Sequence, residues 1–232
     1  DLRPGRRERL QKTYDCDTAY DSLQEMIQEE SNVDAVAIFS GAPKHADHVR
    51  MCMEKGWHVV CAVPACTSLR EARMLKRVKE RTGLTYMMHE TSYYRQNCIF
   101  ARNLYRQGGL GEVFYSELEY YHDLAASKGL IYNPDGSRSW RFGYPPMHYP
   151  THCLGLLVGV TGERITKVSA TGWGSDMPET DVDVYPDNVY GNPFSNEVSM
   201  MQTDRGHTTR CNVCWRIVAG GERAQWFGQD AS

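Results

Sequence analysis

Apolar and polar positions in the first ninety residues follow two alternating rhythms. Val33, Ala35, Val36, Ala37, Ile38 and Phe39 form a near-continuous apolar run of strand length, which Ser40-Gly41-Ala42-Pro43 breaks. A run apolar on both faces predicts a central parallel strand. His45 to Lys55 then carries Val49, Met51, Cys52 and Met53 at helical spacing, Gly56 stops it, and Trp57 to Cys61 predicts a second buried strand. This is one βαβ unit. Before it, Gly5 to Tyr14 is basic and helix-leaning, and Asp21 is expected to cap a short helix carrying Leu23, Met26 and Ile27 on one face. After it, Ser68 and Glu71 have capping-box spacing, a helix Leu69 to Thr82 follows, and Gly83 closes it before a strand Leu84 to Met88. Such alternation predicts a doubly wound parallel sheet.

Beyond about Glu90 the rhythm changes. A helix Asn97 to Gln107 is expected to end at Gly108-Gly109, and a strand Val113 to Tyr121 follows, rich in aromatic residues. Pro150 is read as the start of a helix Thr151 to Gly159. Three alternating runs, Ile165 to Gly172, Asn196 to Thr203 and Thr208 to Val218, predict an open, mainly antiparallel sheet. The fold class is therefore α/β: a truncated Rossmann sheet over residues 1–90, then an α+β domain over 91–232.

Composition narrows the partners. A formal charge of −3 with Lys and Arg dispersed along the chain leaves no basic footprint for nucleic acid. No run reaches the roughly 18 apolar residues of a membrane helix. Most of the eight cysteines lie in apolar runs, where a free thiol behaves as a small hydrophobe. Cys211-x-x-Cys214 has metal-like spacing but sits in an alternating strand, which points its two thiols to opposite faces, so no metal site is expected. Free cysteines point to a reducing, cytoplasmic setting.

The order of the pieces resembles the Gfo/Idh/MocA oxidoreductases, the glucose-fructose oxidoreductase and inositol dehydrogenase family. DAVAIFSGAPKHADHV is similar to that family's strand-turn-helix, GWHVVCAVP to its GKHVxxEKP segment, GGLGEVFYSELEYYHD to its domain-joining strand, and His152 falls where its D-x-G-x-H motif ends. The resemblance implies NAD or NADP as cofactor, a sugar-like small-molecule substrate, and a homo-oligomer built through the C-terminal sheet. It also implies that the chain lacks the family's opening glycine-rich turn and the end of its C-terminal sheet. Asp1 would then stand at the acidic position that bonds the adenosine ribose, which favours NAD. Ser40, Gly41, Ala42, His45, Ala62, Val63, Pro64 and Glu90 are the remaining cofactor-side positions.

The catalytic positions depart from the family pattern. Where the family has the lysine of E-K-P this chain has Val63, and where it has the aspartate of D-x-G-x-H this chain has His148; His152 remains. Oxidation of a carbinol needs a base for the hydroxyl proton and a donor to steady the oxygen. His152, His148 and Tyr149 are the candidates for those roles. His122, Asp123, Tyr93, Arg141, Asn188 and Tyr190 are candidates for the substrate, since amide and aromatic side chains suit a sugar's hydroxyls and apolar face. Three other readings stay open. The histidines with Asp123 could hold a metal for hydrolysis or elimination; family relatives that cleave glycosides through a retained NAD suggest a glycosidase; and Val63 suggests a non-catalytic binding protein.

Overall fold

The computed structural model describes residues 4–124, 127–174 and 187–232, so the Asp1 expectation lies outside the described residues. Two compact units, Asp1–His89 and Glu90–Ser232, are treated separately below.

The first unit holds helices α1 (Pro4–Tyr14), α2 (Leu23–Glu29), α3 (Ala42–Lys55) and α4 (Leu69–Thr82), and strands β1 (Ala35–Ile38), β2 (His58–Cys61) and β3 (Tyr86–Met88). The strands are parallel in the order β1-β2-β3. Helix boundaries follow their caps. Ser68 Oγ accepts the Glu71 amide while Glu71 reaches back to the Thr67 amide, and Gly56 and Gly83 close α3 and α4 with φ of 104° and 67°, a conformation only glycine adopts cheaply. Val49, Cys52, Met53, Val59 and Cys61 are fully enclosed between α3, α4 and the sheet.

Several expectations change in this unit. Among the described strands β2 is the middle one and β1 pairs with β2 alone, and Phe39 falls outside the strand, 70% exposed. Apolar content reports burial potential but not which strand pairs with which. Ser22, not Asp21, caps α2, because its extended backbone lets its hydroxyl accept the Glu25 amide while Glu25 Oε2 takes the Asp21 amide. Pro43 does not end the element before it so much as open α3, sitting in the first turn where its missing N–H costs nothing.

The second unit contains α5 (Gln96–Arg106), β4 (Val113–His122), α6 (Lys128–Ile131), α7 (Thr151–Thr161), β5 (Ile165–Trp173), β6 (Asn196–Thr203), β7 (Thr208–Cys214) and β8 (Gly220–Gly228). The sheet order is β5-β6-β7-β4-β8; β4 and β7 are parallel and the other three pairings antiparallel. α7 is apolar almost throughout, and its Cys153, Leu156 and Leu157 pack with Leu118, Cys211 and Val213 of the sheet. Pro150 is the residue before α7 and not its first turn. Strand β8 was not legible from its pattern: it runs antiparallel to β4 from His122↔Gly220 to Val113↔Gly228. Cys211 and Cys214 are both buried in β7, and burial pushes the Cys214 thiol up to about 11.

Candidate functional site

In the first unit the ends of β1 and β2 meet. The Ala62 amide donates to the Ile38 carbonyl, which brings Ser40, Gly41 and Ala42 beside Ala62, Val63 and Pro64 at the carboxyl edge of the sheet, where open α/β sheets take their ligands. Gly41 caps α3 without a side-chain bond; Pro43 in the first turn has no N–H, and the Lys44 amide donates to the Gly41 carbonyl at 2.8 Å. His45 is placed differently from its expected role. It is buried, with Nδ1 2.7 Å from the Pro64 carbonyl and Nε2 2.7 Å from the Ser40 carbonyl, so it ties the two strand ends together and has no ring nitrogen left for a ligand. His48, one turn on, pairs through Nδ1 with Ser40 Oγ at 3.0 Å; burial, with Lys44 and His45 nearby, lowers its pKa.

The densest chemistry lies in the second unit. Glu90 caps a 3₁₀ turn, Thr91–Tyr94, by accepting the Ser92 amide at 2.8 Å. The same oxygen lies 2.7 Å from His152 Nδ1, both side chains being nearly enclosed. Glu90 thus sits against His152 within this unit. Burial alone would raise the Glu90 carboxyl, but the hydrogen bond and charge of His152, with the Ser92 bonds, hold it below its ordinary value. α7 comes close enough for this contact because it carries glycine at 155: a Cβ there would stand 2.4 Å from Glu90 Cγ. An ionised Glu90 can only accept, so Nδ1–H of the ring donates to it, and in that tautomer Nε2 is the basic nitrogen.

Aromatic rings wall this dyad. Tyr120 lies 4.5 Å from the His152 ring and Tyr149 5.3 Å, and Trp215 stands edge-on to both tyrosines. The Tyr120 hydroxyl pairs with His122 Nδ1 at 3.1 Å. Burial and the neighbouring Arg141 and His152 charges lower the His122 pKa, Asp123 opposing them. Burial raises Tyr149, with Arg141 pulling the other way. Arg141 itself stacks on Trp140, its guanidinium carbon 4.1 Å from the ring centre.

Other expected site residues are occupied elsewhere. Asn188 is buried and spends its amide on Asn192 and Tyr190 within its own loop, the turn-forming role of asparagine. Tyr190 donates to the Trp140 carbonyl, and Tyr93 lies under the Arg102 guanidinium at 3.8 Å. His148 is exposed, at the end of a 3₁₀ turn, and its ring neighbour is Tyr144. Among the described residues no three His, Cys, Asp or Glu side chains converge to hold a metal. Of the predicted residues, the structure therefore brings together Glu90, Tyr149, His152, His122 and Arg141. The sequence reading missed Tyr120 and Trp215, which look like ordinary strand aromatics, and Glu222 and Arg95, taken up below. A second histidine, His207, lies 3.0 Å from Ser116 Oγ and 3.2 Å from Glu163 without hydrogen-bond alignment to it; all three are buried, so this cluster braces the sheet and does not meet a ligand.

Comparison with known proteins agrees with the architecture. Residues 1–90 match the model of the Gfo/Idh/MocA oxidoreductase family, NAD-binding Rossmann fold. Among curated relatives, glycosyl hydrolase family 109 protein 2 and an α-N-acetylgalactosaminidase, both of Bacteroides fragilis, are each 28% identical over 174 residues, 65% of this chain and 41% of theirs. This chain thus spans under half the length of those relatives. Apo scyllo-inositol dehydrogenase from Lactobacillus casei superposes over 100% of this chain and 64% of its own, with a TM-score of 0.79 and 16% identity. An inositol dehydrogenase homologue from Azotobacter vinelandii, complexed with NADH and myo-inositol, covers 99% and 59%, with a TM-score of 0.77 and 19% identity. These likenesses show the fold. No helix among the described residues is long and apolar enough to cross a membrane.

Proposed function

We propose that the protein acts with NAD, or less favoured NADP, on a hydroxyl of a sugar or cyclitol, as an oxidoreductase of the Gfo/Idh/MocA type. The observation that carries this reading is the 2.7 Å contact between buried Glu90 and His152 inside an aromatic wall. Glu90 holds the Nδ1 proton, His152 Nε2 takes the proton of the substrate hydroxyl, and the imidazolium so formed is stabilised by the carboxylate beside it. Tyr120, Tyr149 and Trp215 offer apolar faces to a sugar ring, and Arg141 and His122 offer donors to its hydroxyls. In the first unit, Ser40, Gly41, Ala42 and the Ala62–Pro64 turn, at the carboxyl edge of the parallel sheet, are the positions that would meet a dinucleotide. When bound, the nicotinamide supplies a two-electron hydride acceptor. Val63 stands where the resemblance places a lysine, and in this reading His152 is the principal proton acceptor.

A second reading, glycoside cleavage with retained NAD, is favoured by the names of the curated relatives, and it begins with the same proton removal. We also propose a homo-oligomer formed through the C-terminal sheet, whose outer strand β5 is largely exposed, and a cytoplasmic location. The test is to add NAD and a panel of cyclitols, sugars and aryl glycosides to the purified protein. NADH accumulating with a cyclitol or sugar supports the dehydrogenase. Release of the aryl group from an N-acetylgalactosaminide without net NADH supports the glycosidase. Failure of NAD(H) to quench the tryptophans would reject both.

A further inference from the structure

Glu90 contacts His152 directly, and a second carboxylate, Glu222, is linked to it through Ser92. Ser92 Oγ lies 3.3 Å from His152 Nδ1, and its hydroxyl donates to Glu222 Oε2 at 2.7 Å. With its proton directed at Glu222, Ser92 can only offer a lone pair to the ring, so it shares the Nδ1 proton with Glu90 Oε1. Glu222 is held in turn by Arg95, whose Nε and Nη2 bond its two oxygens at 2.9 and 2.8 Å. Its side chain is 8% exposed, and although burial would raise its pKa, the Arg95 and Ser92 bonds and the His152 charge lower it, so it is a carboxylate at neutral pH.

The charge balance gives this chain of contacts a consequence. Glu90, Glu222 and Arg95 together carry one net negative charge beside a neutral ring, and none beside an imidazolium. Proton capture at Nε2 thus neutralises a cluster whose two carboxylates are largely buried and whose arginine is exposed, which favours the step. The other polar groups facing the ring are Tyr120 and His122 from β4 and Tyr149 from the segment before α7, with the Arg141 charge beside His122 and Tyr149. Tyr120 is the ring that touches His152, and burial, with Tyr149 and Glu222 near it, keeps its phenol neutral. Neither tyrosine supplies a competing negative charge.

We propose that Glu222, acting through Ser92, is a positioning residue for His152: it fixes the direction of the Ser92 hydroxyl, locks the ring with Nε2 as its basic nitrogen, and stabilises the imidazolium. This rests on the reading of His152 as the proton acceptor. The residue is supplied by β8, an element with no ligand-like motif, which brings it to β4 opposite Tyr120.

The test is Glu222→Gln in the intact protein, with the His152 ring followed by NMR across pH. Gln keeps the shape and a hydrogen-bonding oxygen but removes the charge. The expected result is a fall of about one pH unit in the midpoint of the ring's titration, the effect of losing one charge several ångströms away in a partly solvated site. Turnover should fall about tenfold in kcat with KM unchanged, and Glu222→Asp should recover part of it. If Glu222→Gln does not fold, Ser92→Ala breaks the same link and should lower the midpoint in the same direction. An unmoved titration in the variant that folds overturns the proposal, whatever turnover does. His152→Ala decides the underlying reading separately: full turnover there removes His152 as the base, while a shifted titration still shows that Glu222 governs the ring.

Discussion

Gly155 makes the Glu90–His152 contact possible, and replacing it has a calculable effect. In most exposed or open helical positions Gly→Ala stabilises by roughly 0.5–1 kcal/mol, through backbone entropy. Here the added methyl would meet Glu90 Cγ at 2.4 Å and Cδ at 3.1 Å. The first of these is close to the base of the side chain, next to a carboxylate fixed by the Ser92 amide and His152, so it cannot swing aside without breaking those bonds. Overpacking of this kind costs about 1–3 kcal/mol. Gly155→Ala is therefore expected to destabilise in the native background and to stabilise when Glu90→Ala has cleared the space. Urea unfolding of the four proteins of this double-mutant cycle would give the coupling, expected at roughly 2–3 kcal/mol from the two opposing effects. Equal stabilisation by Gly155→Ala in both backgrounds would refute the packing argument.

Three more predictions concern the rest of the molecule. Glu90 and Glu222 have folded pKa values below their unfolded ones, so their contribution is present above the ordinary carboxylate range and is lost as pH falls through the lowered values; Glu90→Gln should flatten the acid limb of a stability-versus-pH curve, and an unchanged limb would count against the pairing. His45→Ala should cost about 2–4 kcal/mol in denaturant unfolding, because it strands two carbonyls and opens a cavity, whereas a loss under about 0.5 kcal/mol would deny the strut. Cys61, pushed up to about 12, and Cys52, to about 11, both by burial, should resist alkylation in the native state while exposed Cys16 reacts first, as mass spectrometry of peptides would show.

Local chemistry made much of the first unit readable. Gly56, Gly83 and Ser68 are punctuation marks whose backbone roles are nearly independent of what surrounds them, and the helices end where they stand. Pairing was less legible: the order β1-β2-β3 is set by backbone bonds between strands and not by their apolar content. β8 escaped because no motif marks it and its partner β4 lies about a hundred residues earlier. The same distance hid the site. His152 and Tyr149 stand in a motif, but Glu90 is 62 residues from His152 in sequence and Glu222 is 130 from Ser92. No local pattern encodes such contacts. Asn188 shows the converse, a sugar-binding residue type whose amide is spent on its own loop.

The central claim is that His152, held by Glu90, moves the substrate proton. Turnover of His152→Ala, measured beside NAD(H) binding on the same preparation, tests it most directly. The account predicts a fall of roughly a hundredfold or more in turnover, the usual share of general acid-base catalysis, with cofactor affinity nearly unchanged. Undiminished turnover of the variant on the native substrate would contradict it.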